Sequence, residues 1–321
     1  MAECFTGDFS KSVGSLSEKG LIARFCAALG PCVPAAPEGA GDDCAVLKKS
    51  NFSKKNILST SDAVILGRHF SPQTPARKAG KKLLNRNLSD IASMGGEPLY
   101  AMTSAVISPK ISLKWLDEFA FGLRDAALKC GVKFIGGDVA RGADDYFSMH
   151  LTLLGTCAKP LQRSGAKSGD RLFVTGFLGA SFESGRHLDF KPRLKEGAYL
   201  ASLKCVSACT DLSDGLASDI FDILPPNSCA EIFGEKIPVF KFKGNNLKKA
   251  LCDGEDYELL FAVSGLSDAK SALFARKFRE KTRCRVSEIG RISDCPGKRG
   301  LFLIGKDGAR RKFDLPGFSH F

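Results

Sequence analysis

Short apolar runs alternate with stretches of helical spacing along the first half of the chain. Residues 57–61 read as a strand ending at Asp62. Over 79–94, apolar residues recur at Leu83, Leu84, Leu88 and Ile91, the three-and-four spacing that predicts one buried helix face. Gly95-Gly96 closes that helix, because glycine readily takes the left-handed conformation of a helix end. Residues 99–107 form a strand-like run stopped by Ser108-Pro109. Leu113, Leu116, Phe119, Leu123, Ala126 and Ala127 then predict an amphipathic helix ending at Gly131. A short apolar strand, 132–135, delivers Gly136-Gly137-Asp138, and 149–156 adds another strand.

The pattern restarts after Ala158-Lys159-Pro160. Residues 164–170 are polar and contain glycine, as a hinge would. A strand follows at 171–175, a helix at 214–224 broken by Pro225-Pro226, a strand at 259–263 and a helix at 269–278. This alternation predicts an α/β (α+β) class in two domains, 18–157 and 158–321. At 321 residues the chain is long enough for two cores.

Composition narrows the reading. No stretch approaches the ~18–20 apolar residues of a membrane helix, and the first twenty residues carry Glu3, Asp8 and Glu18 with no apolar signal core. A cytoplasmic protein without membrane contact is expected. The twelve cysteines include no Cys-x-x-Cys pair, so buried thiols in a reducing compartment fit better than disulfides or zinc. A net charge of +12 favours an anionic partner. Its lysines and arginines are scattered pairs and triples, however, without the basic, aromatic-interleaved run of a nucleic-acid binder. Surface charge that attracts nucleotides is the better account, and no nucleic-acid partner is expected.

Against this basic background stand six acidic patches: Gly41-Asp42-Asp43, Ser61-Asp62, Ser89-Asp90, Gly136-Gly137-Asp138, Asp211-Leu212-Ser213-Asp214-Gly215 and Gly254-Glu255-Asp256-Tyr257-Glu258. Hard divalent cations take oxygen ligands and commonly bind substrate phosphates as well. The patches therefore predict metal-dependent phosphoryl chemistry. Asp62 and Asp138 are each expected at the exit of an apolar strand. Asp90 falls inside a helix, where aspartate is a poor former and needs compensation. Gly136-Gly137 would let a phosphate approach bare backbone amides. Singly, each has an ordinary reading: Gly-Asp-Asp as a turn, Ser-Asp as a helix cap, His69 as a loop histidine, Phe318 as a docked tail aromatic.

Jointly the patches resemble the thiamine-monophosphate kinase family, part of the superfamily of aminoimidazole ribonucleotide synthetase and selenophosphate synthetase. The matching residues include Gly41-Asp42-Asp43-Cys44-Ala45-Val46-Leu47, Ser61-Asp62 with His69-Phe70, and Asn87 through Pro98. They continue with Ile135-Gly136-Gly137-Asp138, Arg163 through Asp170, Asp211 through Leu216, Gly254 through Leu259, and the ending Gly317-Phe318-Ser319-His320-Phe321. They run in the family's order from about residue 18 to the last residue, and residues 1–17, which lie outside these motifs, are expected to be a mobile extension.

The resemblance implies an aminoimidazole ribonucleotide synthetase-like fold whose N-terminal mixed sheet forms a barrel across a homodimer, with a C-terminal α/β domain beside it. It implies ATP-dependent phosphorylation of thiamine monophosphate to thiamine diphosphate, the final step of that synthesis, by in-line transfer with several Mg²⁺ ions. Metal positions fall on Asp43, Thr60, Ser61, Asp62, Asp90, Asp138, Asp211 and Asp214. ATP positions fall on Gly137, Asp138, Arg163 and Ser213, and substrate positions on His69, Glu255 and Phe318. No catalytic side chain is expected, because the acceptor phosphate is already anionic and phosphoryl transfer depends on positioning and charge neutralisation.

Three alternatives compete. Selenophosphate synthetase needs a catalytic cysteine with a nearby lysine in a glycine-rich loop, a setting Cys4 lacks. Aminoimidazole ribonucleotide synthetase would lack Gly254 through Leu259. A non-catalytic nucleic-acid binder rests on charge alone. The chain also departs from the family: a helix and loop before His187-Leu188-Asp189-Phe190-Lys191-Pro192-Arg193 are missing, Asp189-Phe190 replaces Arg-Pro, and Cys252-Asp253-Gly254 replaces Ser-Gly-Gly.

Overall fold

Residues 3–35, 38–39, 45, 47–52 and 54–314 are described by a computed structural model. The chain divides into two units, residues 1–91 with 97–158, and residues 92–96 with 159–321.

The first unit combines helices α1 (Glu18–Leu29), α2 (Ala76–Ser93) and α3 (Leu113–Cys130) with strands β1 (Asn56–Ile65), β2 (Glu97–Ile107), β3 (Lys133–Arg141) and β4 (Phe147–Cys157). Among the described residues the strands form one sheet in the order β1-β4-β2-β3, with β2 and β3 parallel and the other neighbours antiparallel. Alternation sets the faces. Ala101, Thr103, Ala105 and Ile107 of β2 are buried while Met102 and Ser104 are exposed. Phe70, Trp115, Phe119 and Phe147 interlock at ring separations of 5.0–6.0 Å, and all four are at most 2 % exposed. Helices α2 and α3 touch backbone to backbone. A Cβ on Gly80 would lie 2.0 Å from the Phe119 carbonyl, and one on Gly122 would lie 2.0 Å from that of Arg77.

Three expectations need correction here. Strand β1 runs on past Asp62 to Ile65, and β3 past Asp138 to Arg141. Both aspartates are thus strand residues, because each flank remains paired to its neighbour. The expected mobile extension is, over residues 3–17, docked on the β2–α3 junction. Phe5 and Ser12 bridge Ile111 and Ser112, the Val13 N–H donates to the Ile111 carbonyl at 2.8 Å, and Cys4, Ser12 and Val13 are buried.

The second unit holds β5 (Arg171–Thr175), α4 (Leu194–Ala201), β6 (Val206–Asp211), α5 (Leu216–Ile223), β7 (Ser228–Phe233), α6 (Leu247–Cys252), β8 (Leu259–Val263), α7 (Asp268–Thr282), β9 (Val286–Asp294), β10 (Gly300–Ile304) and β11 (Arg310–Lys312). Among the described residues its sheet has the order β11-β10-β7-β9-β5-β8-β6. Each face carries a core. Leu172 and Val174 of β5 join Leu216, Ile220, Ile223 and Leu251 of α5 and α6. Phe173, between them in sequence, joins Phe261 and Phe278 of β8 and α7. Helix α5 ends where Leu224, before Pro225, turns extended, as a residue preceding proline must. Helices on both faces of a mixed sheet make this an α/β protein. No described helix is long and apolar enough to cross a membrane.

Candidate functional site

Strand β6 ends on Asp211, and the loop to α5 carries Ser213 and Asp214. The buried Asp219 of α5 accepts the Asp214 N–H at 3.0 Å and so fixes this loop. Burial first, then the nearby charges of Asp214 and Asp211, push the Asp219 carboxyl up to about 8. Carboxylates of one sign are concentrated here.

The Gly254–Glu258 stretch lies along the same loop. The Leu212 N–H donates to the Glu258 carbonyl and the Tyr257 N–H to that of Leu212, both at 2.8 Å, and the Glu255 N–H donates to Ser213 at 2.7 Å. The fold therefore brings Asp211, Ser213 and Asp214 together with Glu255, which lies 41–44 residues away in sequence. Glu255 and Tyr257 hold φ of 53° and 50°, left-handed values that cost non-glycine residues roughly 1–3 kcal/mol and persist only where surroundings enforce them.

The enforcement comes from the neighbouring carboxylates. Asp256 accepts the Gly179 N–H at 3.0 Å and the Arg186 guanidinium at 2.6 Å. Glu258 takes Arg193 in a two-pronged bond of 2.7 and 2.6 Å, and the Thr175 hydroxyl at 2.6 Å. Both are anchors inside the unit, with side chains only 1 % and 5 % exposed. Glu255 turns elsewhere. Its carboxylate lies 3.1 Å from His187 Nδ1, and its other oxygen is 3.5 Å from the Tyr257 hydroxyl. Phe190 stacks on Tyr257 at 4.0 Å.

Arg163 is exposed and pairs with Asp222 of α5 at 2.9 Å. Gripping a phosphate would require it to leave or share that carboxylate.

In the first unit, the Thr60 hydroxyl donates to Asp90 Oδ2; this is the compensation an aspartate inside α2 requires. Arg86 of α2 reaches Asp62 at 3.0 Å and the Ala63 carbonyl at 2.6 Å, and Asn87 accepts the Asp62 N–H at 3.1 Å. Ser61 accepts from Thr152 at 3.3 Å. His69 is buried, and its Nδ1 accepts the Ile65 N–H at 3.0 Å. In the neutral imidazole that places the proton on Nε2, as a donor. The fully buried Lys82 holds the His69 carbonyl at 2.9 Å.

Asp138 sits apart. Asp62 is level with Leu151, Leu151 with Thr103, and Thr103 with Gly137. Three strand spacings, about 14 Å, separate the two edges of this row. Asp138, one residue on, lines a cavity of roughly 1120 Å³ with Ser104, His150 and the face of α1. Gly137 has a structural duty: a Cβ there would lie 2.2 Å from the Thr103 carbonyl, whereas Gly136 faces open space.

Asp43, Phe318 and the Gly41–Asp43 and Gly317–Phe321 motifs lie outside the described residues. Among the described residues, no three or more His, Cys, Asp or Glu side chains are grouped to hold a metal ion. Asp219, His187 and Phe182 were not singled out by sequence reasoning. Only the placement of Asp219 five residues beyond Asp214 signalled one of them.

A family model described as AIR synthase related protein, N-terminal domain, matches residues 41–157. Thiamine-monophosphate kinase of Buchnera aphidicola is 34 % identical over 314 residues, covering 88 % of this chain and 92 % of the relative. That of Salmonella typhimurium is 32 % identical, covering 95 % and 98 %. Of solved structures, AaThiL complexed with AMPPCP and TMP superimposes at a TM-score of 0.70 with 26 % identity, covering 98 % of this chain and all of the other.

Proposed function

The chain belongs to the thiamine-monophosphate kinase family, and on that premise we propose that it transfers the γ-phosphoryl group of ATP directly to the phosphate of thiamine monophosphate in a Mg²⁺-dependent reaction. The bond from the γ-phosphorus to the bridging oxygen of ATP breaks, a phosphate oxygen of thiamine monophosphate forms the new bond, and ADP leaves. The observation that carries this reading is the 2.7 Å backbone bond between Ser213 and Glu255. It sets the nucleotide-assigned loop beside the substrate-assigned carboxylate.

The acceptor oxygen is anionic, so no side chain need remove a proton. Positioning is the protein's task. Arg163 can clamp phosphate oxygens through its planar fork, and the exposed Gly137 has no side chain to keep a phosphate from the backbone. His69 offers Nε2–H to an anion. Glu255 can accept from the amino group of the pyrimidine, with Phe318 as an aromatic face for the same end of the molecule.

The donor sets suit Mg²⁺, which is held by one or two carboxylates with substrate phosphates supplying further oxygens. Burial first, and then the charges of Asp214 and Asp211, raise the Asp219 carboxyl, and the like-charge part of that is what a divalent cation would relieve. Asp43, Thr60, Ser61, Asp62, Asp90 and Asp138 complete the proposed set. Mg²⁺ held by these residues would supply charge neutralisation between two phosphate-bearing reactants. The distance from Asp62 to the Asp138 edge supports a homodimer in which a second copy supplies Asp138. Free thiols at all the described cysteines suit the reducing cytoplasm. The test is ADP release that depends on both thiamine monophosphate and Mg²⁺.

A further inference from the structure

His187 is buried at 4 % exposure in the short segment between β5 and α4. Its Nδ1 lies 3.1 Å from Glu255 Oε2. A carboxylate oxygen only accepts, so the imidazole is the donor and its proton sits on Nδ1. Phe182, 55 % exposed, stacks on the imidazole at 4.5 Å and 19°. The segment is short, and the His187 N–H donates to the Ser181 carbonyl at 3.0 Å, so ring and backbone are both fixed. In the same stretch, Asp256 and Glu258 are held by Arg186 and Arg193.

We propose that His187 is a positioning residue for thiamine monophosphate, fixing the rotamer of Glu255 so that its second oxygen faces the aminopyrimidine, with Phe182 as the stacked cover of the imidazole. This rests on the assignment of Glu255 to the substrate. The imidazole touches no reacting atom, so its effect falls on substrate affinity and leaves nucleotide binding alone.

Steady-state kinetics of His187→Ala, His187→Asn and Glu255→Gln test it. An asparagine amide reproduces the Nδ1 donor; alanine does not. His187→Ala should raise KM for thiamine monophosphate about tenfold, the scale of one lost charge-assisted hydrogen bond, with KM for ATP and kcat within about twofold. His187→Asn should restore most of that affinity. In the Glu255→Gln background, His187→Ala should add less than half its single-variant effect, because both act through one carboxylate. An unchanged KM, equal rises for both substrates, no rescue by asparagine, or additive effects would overturn the positioning role. If the wild-type protein does not turn over thiamine monophosphate, the site assignment fails first. If it does and the cycle is additive, only the role of His187 fails.

Discussion

Asp62 of β1 and Gly137 of β3 stand in one row of the four-stranded sheet, at its two edges, with Leu151 and Thr103 between them. Asp62 is tied to α2 through Arg86, while Asp138, next to Gly137, lines the cavity beside α1. A Mg²⁺ ion reaches its ligands at about 2.1 Å, so one ion cannot join both carboxylates across a single sheet. Co-expressed Asp62→Asn and Asp138→Asn chains should therefore complement. Each variant alone should lose at least about a hundredfold in kcat, whereas the co-expressed population should recover roughly a quarter of wild-type activity, because about half of the dimers are mixed and each mixed dimer keeps one intact site of two. Activity of purified heterodimers no higher than that of either parent would show that each chain builds its site alone.

The two adjacent glycines should behave differently. Gly137→Ala forces a methyl group to within 2.2 Å of the Thr103 carbonyl, so β2 and β3 must separate and the thermal midpoint should drop by several degrees. Gly136→Ala meets nothing within 4 Å and should leave the melt unchanged while raising KM for ATP. Equal melts for the two variants would refute the packing account.

Neighbouring acidic residues should separate in the same way. Glu258→Ala strands the Arg193 guanidinium, only 20 % exposed, and should cost about 3 kcal/mol in urea denaturation. Glu255→Gln should stay within about 0.5 kcal/mol of wild type while KM for thiamine monophosphate rises. Comparable stability losses would mean that Glu255 is also an anchor.

Asp219 makes a pH prediction. Its folded carboxyl is raised to about 8 by burial and by Asp214 and Asp211, against roughly 3.9 when unfolded. The folded state holds the proton and the unfolded state releases it, so this group favours folding fully below the unfolded value. That contribution is lost as pH climbs toward 8. Asp219→Asn, always neutral, should gain on wild type by on the order of a few kcal/mol between pH 4 and 8 in EDTA. Parallel stability curves across that window would contradict the shift.

Strong periodicity made some elements legible. Helix α3 (Leu113–Cys130), stopped at left-handed Gly131, β5 and β8 were readable because their apolar runs are bounded by glycine, proline or polar residues. Strands β7, β9, β10 and β11 were not, because pairing within a seven-stranded sheet, rather than a local signal, defines them. The acidic motifs announced phosphoryl chemistry, and the family resemblance singled out Glu255, but no local property of the sequence separates its carboxylate from those of Asp256 and Glu258. Facing depends on left-handed φ values at 255 and 257 and on arginines 65 to 70 residues away. Nor could it reveal that Asp62 and Asp138 occupy opposite edges, since strand order is a property of the assembled sheet.

The central claim is tested most directly by following ADP release from purified protein with ATP and millimolar Mg²⁺, with thiamine monophosphate, thiamine or an aminoimidazole precursor as acceptor. ADP should appear stoichiometrically with thiamine diphosphate for the monophosphate alone, and EDTA should abolish it. No ADP with the monophosphate, or turnover indifferent to Mg²⁺, would contradict the account.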